Sequence, residues 1–464
     1  MLETAIRNAR IVTPAGIVEG DLGIREGRID TVGQAGPARH EIDAAGRFLC
    51  PGGVDPHCHI EQMSGMGQMN ADTWETATRS AAMGGTTTVI SFAAQAKGQP
   101  LAAAMADYAA RAKRGAAIDH AFHAIIADTS VADFQSDLAR QIAAGHRSLK
   151  LFTTYNIGLD DGQILSAMAA ARAHGALVCI HAENDAIIAR SRAALLAEGR
   201  LAPRDHAASR PPLAEIEAVE RMCRFAEHVD TQIMLFHISA AGAVEAVAAA
   251  RARGAPVWAE TCPHYLFQTE EILSRPHGAK WMCSPPQRTE ADQAALWRAL
   301  LSGGLDLVSS DHAPYRHDET GKLSAGPQAG FHQIANGMPG LEPRLPLMFD
   351  AMVSRGQGGI EAFVQLTSTA AADLYGLPGK GRIEAGYDAD LVIWDAGRSV
   401  TYGANDLHDN VGYNPWEGTT VTGWPDTVLL RGQIIAQNGA FEGRFGAGRW
   451  LSRQAPAAAE REDG

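Results

Sequence analysis

Apolar and polar positions alternate along this chain in two distinct textures. After residue 51, short and nearly continuous apolar runs are separated by longer Ala-rich stretches of helical period. The runs are the segment leading to His57, then "TTTVISFA" (86–93), "HAFHAIIAD" (120–128), "RSLKLFTTY" (147–155), "ALVCIHAEN" (176–184), "QIMLFHIS" (232–239), "PVWAETCP" (256–263) and "LDLVSSDHAP" (305–314). Runs of this length read as strands buried on both faces, and 160–173, 212–228 and 240–253 read as helical crossovers. Alternation of this kind predicts an α/β fold, a (β/α)₈ TIM-like barrel spanning 51–375.

The first fifty residues have the other texture: short β-like runs broken by Gly, as in "EGDLGIREGRIDTVG". It returns in "GRIEAGYDADLVIWDA" and "PDTVLLRGQIIAQNGAF", so segments 1–50 and 376–450 are expected to build one small β-sandwich domain, the second of them also carrying oligomer contacts. Residues 451–464 form a polar, Ala-rich tail, expected to be disordered.

Composition narrows the partners. The chain has 464 residues, 46% hydrophobic and 20% charged, as in an ordinary globular enzyme. Forty Lys and Arg against 53 Asp and Glu give a formal charge of −13, with no basic run, which argues against nucleic acid and anionic membrane. "MLETAIRNARIVTPAG" lacks a basic region followed by a long apolar one, so no signal peptide, no membrane span and a cytoplasmic location are expected. The six cysteines are scattered and form no C-x-x-C pair, which reads as buried free thiols.

A barrel of this kind places its chemistry at the C-terminal ends of its strands. His57 and His59 end the first run, Lys150 lies in the fourth, His181 ends the fifth, His237 the sixth and Asp311 the eighth. Taken singly, each has an ordinary explanation: a hydrogen-bonded core His, a helix-capping Asp, a snorkelling Lys. Their joint occurrence at one end of the barrel outweighs those explanations. On an extended backbone residues i and i+2 face the same side, so His57 and His59 converge while Cys58 points away and is no ligand.

Lys150 stands among Leu149, Leu151 and Phe152, where an ammonium carries a large desolvation cost. One escape is for the neutral amine to add CO₂ and become a carbamate, an N6-carboxylysine able to bridge two cations. With that carbamate counted, His57, His59 and Asp311 serve a first ion, His181 and His237 a second, and Lys150 both. Nitrogen and oxygen donors without thiolate suit zinc, with manganese or cobalt as substitutes. Such a pair activates water and polarises a carbonyl, Asp311 carries the proton, and the reaction class is hydrolysis. Tyr155 can donate to a developing oxyanion or can equally be an interfacial loop tyrosine.

"GGVDPHCH", "LKLFTTY", "CIHAEN", "FHIS", "ETCPHYL", "CSPPQR", "SSDHAP", "NGMPGLEPRLPL" and "YNPWEG" together make the chain resemble the amidohydrolase superfamily. Within it, the likeness is to the dihydropyrimidinase and D-hydantoinase group of cyclic amidases. It covers nearly the whole chain. It implies two zinc ions per subunit on the ligands above, bridged by carboxylated Lys150, and a substrate-polarising Tyr155. It also implies that backbone groups of Ser284 and Asn336 hold the ring amides, and that the protein is a homo-oligomer, commonly a tetramer.

Two stretches depart from the group. "ETCPHYL" carries His264, as allantoinases and dihydroorotases do, and His264 is expected behind the ligands or in a packing role. The loop 61–74 is rich in Met and Gly, and Met63, Met66 and Met69 are expected to form an adaptable apolar wall for the exocyclic substituent. Dihydroorotase places an Arg where Glu61 stands here, and Glu61 is expected to repel a substrate carboxylate. The expected activity is opening of 5-substituted hydantoins or dihydropyrimidines to N-carbamoyl amino acids. Allantoinase is the alternative, and a non-catalytic dihydropyrimidinase-like scaffold the reading from a different class.

Overall fold

In the computed structural model, which describes residues 1–456, the apolar runs form one eight-stranded parallel sheet whose neighbours follow chain order. Its strands are Gly53–Cys58, Thr86–Ala94, Asp119–Ile125, Ser148–Phe152, Leu177–His181, Ile233–Leu235, Val257–Thr261 and Leu307–Val308. A bridge between Cys58 and His312 brings the chain beyond the eighth strand back to the first. Helices alternate with the strands, so the TIM-like barrel read from the hydrophobic pattern is the observed fold.

Local chemistry sets the crossovers. Asp160 caps Asp161–His174 through a capping box with Gln163, and Gly175 at φ 66° ends it in the left-handed conformation open to glycine. The sixth and eighth strands are shorter than their apolar runs, because the ladder stops before His237 at φ 43° and Asp311 at φ 45°. These φ values cannot continue a strand.

The N- and C-terminal segments share one nine-stranded mixed sheet. The join is Phe48–Pro51 antiparallel to Leu391–Trp394. Lys380 ties this sheet to the N-terminal end of the barrel, its Nζ 2.6 Å from Asp119, 2.9 Å from Asp388 and 2.7 Å from Asp390. Those three carboxylates are grouped tightly enough to hold a metal, but the ammonium already occupies the position a cation would take.

The expected disorder of the tail does not hold for its first residues. Leu451 N–H donates to His120 and Gln454 N–H to Gly376. Arg453, 3% exposed, donates to Ser148 Oγ at 2.8 Å and to the Phe122 carbonyl at 2.6 Å. The polar composition hid an arginine that enters the N-terminal end of the barrel; residues 457–464 lie outside the described residues. Arg453→Met is expected to lower stability by about 2–3 kcal/mol, because two buried acceptors lose a charged donor. The denaturant midpoint, read at unchanged m-value, checks this.

Candidate metal centre and active-site cavity

The side chains singled out at the strand ends converge. His57 Nε2 lies 3.0 Å and His59 Nε2 3.5 Å from Asp311 Oδ1, and one ligand atom from each of the three falls within 4.8 Å of the others. The rings of His181 and His237 are 4.6 Å apart, and His237 is 5.4 Å from His57. Lys150 is 1% exposed, and its Nζ lies 3.9 Å from the Phe236 ring centre and 4.8 Å from that of Phe152. Among the described residues it forms no ion pair, and the charges of Asp311 and Glu260 support its ammonium only from further off. Burial therefore brings its pKa down to about 7. Cys58 turns away, its Sγ directed at the Ile90 carbonyl, and all six cysteines are free and buried.

The electrostatics of these groups suit metal binding. Burial lowers the basicity of His181 and His237 well below the usual imidazole range, reinforced by Lys150 on the first and His181 on the second. Neutral imidazole is the metal-binding form. Against the upward push of burial, the His57 charge and hydrogen bonds from His57 and His59 hold the Asp311 carboxyl well below the carboxylate range. Burial lowers the His57 pKa, but Asp311 and Glu260 on opposite sides of the ring outweigh it and raise the value. A cation at Nε2 answers both demands. Among the described residues His237 Nδ1 and Glu260 Oε2 are buried without a partner, and the nitrogen and oxygen donors suit divalent ions of the zinc type.

Several supporting residues were not read from the sequence. Glu260 Oε1 accepts from His57 Nδ1 at 2.5 Å, which directs Nε2 toward Asp311. His59 Nδ1 pairs with Gln62 Oε1 and His181 Nε2 with Glu183 Oε2, each at 2.7 Å, and Arg210 pairs with Glu183. Asp55 Oδ1 accepts from the backbone N–H of His57 at 3.1 Å and of Ser310 at 3.2 Å, tying the segments that carry His57 and Asp311 together. An acid inside the apolar "VWAETCP" was the signal for Glu260, and the i+2 and i+3 spacings were the signals for Glu183 and Gln62; nothing local marked Arg210.

His57, His59, Lys150, His181, His237 and Asp311 open into a cavity of about 880 Å³ that Tyr155, Ser284 and Asn336 also line. Tyr155, like His237 and Asp311, has a left-handed backbone, φ 72°, a strain that proteins keep where a side chain must be aimed. Burial raises its pKa, so the phenol stays protonated, with the Arg210 guanidinium 4.9 Å from the ring centre. Among the described residues, the backbone N–H and C=O of Ser284 and Asn336 take part in no hydrogen bond.

Two expectations need correction. Glu61 does not line the cavity; its carboxylate accepts from Trp74 N–H at 3.0 Å at the start of a helix, so it repels nothing there. Of the three loop methionines, Met63 and Met66 reach the cavity and Met69 does not, because Met63 and Met69 pair across the loop and the turn between them faces inward. His264 is buried against Tyr265, its ring 4.1 Å away, outside the main cavity.

A parallel barrel with this cluster at its strand ends is the architecture of a metal-dependent hydrolase, and the amidohydrolase family matches residues 48–435. The chain belongs to that family. It is 39% identical to the D-hydantoinase of Ralstonia pickettii over 463 residues, 98% of this chain and 99% of the relative. The crystal structure of dihydropyrimidinase from Brevibacillus agri NCHU1002 superimposes with TM-score 0.94 at 37% identity, covering 99% of this chain and all of that one. The L-hydantoinase (dihydropyrimidinase) of Arthrobacter aurescens has TM-score 0.88 and 26% identity, covering 98% of this chain and 100% of its own.

Proposed function

We propose that this protein is a binuclear-metal cyclic amidase that opens 5-substituted hydantoins or dihydropyrimidines to N-carbamoyl amino acids. The observation that carries it is the pairing, in one cavity, of the His57, His59 and Asp311 cluster with the unpartnered main-chain groups of Ser284 and Asn336. A ring amide presents a donor and an acceptor side by side, and main-chain groups on two loops answer both. Greater likeness to the D-hydantoinases than to the L-hydantoinase supports D selectivity.

His57, His59 and Asp311 would hold one zinc ion, His181 and His237 the other, with carboxylated Lys150 between them; manganese or cobalt fits the same donors. Bound there, the ions supply an acidified water and polarisation of the scissile carbonyl. Asp311 accepts the proton of the attacking water and delivers it to the departing ring nitrogen, so a C–O bond forms, the C–N bond breaks and no proton is lost. Tyr155 donates its hydroxyl proton in a hydrogen bond to the oxygen on which charge develops. Glu260 keeps His57 in the tautomer whose Nε2 is free.

Met63 and Met66, 50% and 47% exposed, are unbranched thioethers that can mould to a 5-substituent. No helix among the described residues is long and apolar enough to cross a membrane. A cytoplasmic homotetramer is part of the same reading, supported by the resemblance to the group.

The test is turnover of dihydrouracil, 5-substituted hydantoins, allantoin and dihydroorotate by protein supplied with zinc and bicarbonate, with and without chelator. Chelator-sensitive opening of hydantoin or dihydrouracil is expected. Preference for allantoin would move the assignment, and absence of both metal and turnover would favour a scaffold. In the same assay, replacing Met63 and Met66 by Ala should lower kcat/KM for a bulky 5-substituted hydantoin about tenfold, the scale of lost apolar contact, and leave dihydrouracil unchanged.

A further inference from the structure

Lys322 is the second fully buried lysine near the cavity, and the reaction above makes no use of it. It is 0% exposed and among the described residues has no carboxylate partner. Its Nζ donates instead to two carbonyls from different loops, Met282 at 3.1 Å and Ala335 at 2.9 Å. Met282 lies two residues before Ser284, and Ala335 immediately before Asn336. The same Met282 carbonyl accepts from Gly337 N–H at 2.8 Å, and the neighbouring Cys283 carbonyl accepts from His206 Nε2 at 2.7 Å.

The carbonyls of Met282, Cys283, Pro285 and Ala335, which flank the two loop tips, thus all have donors, whereas among the described residues those of Ser284 and Asn336 have none. A donor on the Ala335 carbonyl also polarises the peptide whose N–H belongs to Asn336, and one on Cys283 does so for the N–H of Ser284. The segment carrying Lys322 is itself tied down: Lys322 N–H donates to the Arg316 carbonyl at 2.8 Å. A Cβ at Gly321 would come within 2.2 Å of that same carbonyl, so only glycine permits this approach.

We infer that Lys322 is a positioning residue that clamps the Ser284 and Asn336 loops together and tunes their main-chain groups toward the cyclic amide. This rests on the proposed function, in which those groups hold the ring. Burial brings the Lys322 pKa down to about 7, and an amine or ammonium there donates equally to both carbonyls.

The experiment compares wild type, Lys322→Met and Lys322→Gln, each loaded with zinc and assayed for metal content. Two inhibitors separate the roles: glutarimide, which presents the ring's imide face, and acetohydroxamate, which needs only the metal ions. Lys322→Met should raise the KM of dihydrouracil and the Ki of glutarimide about tenfold, the size of one weakened hydrogen bond, with kcat falling less. Acetohydroxamate affinity and metal content should stay at wild-type values, and Lys322→Gln, which keeps a donor, should recover part of the loss. Equal weakening of both inhibitors, or of neither, overturns the inference while leaving the proposed function standing. Failure of wild type to bind glutarimide together with failure to open both 5-substituted hydantoins and dihydrouracil overturns the proposed function itself. If Lys322→Met does not fold, the same two ratios measured on Lys322→Gln decide the matter.

Discussion

Lys150→Met is expected to reduce turnover by about four orders of magnitude, roughly 5.5 kcal/mol of barrier, and to cut bound metal per chain. Methionine keeps the length and apolar packing of the side chain, which is 1% exposed against Phe236, Phe152 and Phe92, so the barrel should stay folded. What disappears is the one group that can become an anionic bridge between two cations. Metal analysis, with an intact-mass measurement for an acid-labile CO₂ adduct on wild type, tests that role directly. Because only the neutral amine adds CO₂, and burial puts its pKa at about 7, reconstitution of metal-free protein with bicarbonate and zinc should slow as pH falls below about 7. Full activity and full metal content in Lys150→Met would remove the carbamate from the mechanism.

Asp311→Asn should cost about 10³-fold in kcat, within the usual contribution of a positioned proton carrier, with a smaller change in KM. The amide is isosteric and can still offer an oxygen to a cation, but it cannot take the proton of the attacking water. Its backbone, at φ 45°, is a conformation that Asn tolerates as readily as Asp, so a folding defect is not expected. Glutarimide binding retained alongside lost turnover separates proton transfer from substrate binding. A kcat within tenfold of wild type would assign the proton to another group.

Much of this site was legible along the chain because parallel strands make a local signature. An apolar run ends, and the polar residue just beyond it is carried to the functional face. His57, His59, His181, His237 and Asp311 lie at such ends, and Lys150, inside its strand, was marked instead by its apolar neighbours. The groups that support them follow no such rule. Glu260 is 203 residues from the His57 it holds, and Arg453 enters the barrel 305 residues after the Ser148 it contacts. Glu61 illustrates the converse: its type and position suggested a role facing substrate, yet the chain turns it onto the N–H of Trp74, 13 residues away.

The sequence by itself determined the eight-stranded barrel and the family to which the chain belongs. Those depend on periodicity and short motifs, which are local. Only the tertiary structure decided that the two ends pair in one mixed sheet, which carboxylate backs which histidine, which methionines reach the cavity, and that Lys322 joins the loops that carry Ser284 and Asn336. These are distances between residues remote in sequence, set by how strands and loops pack, and no local pattern encodes them.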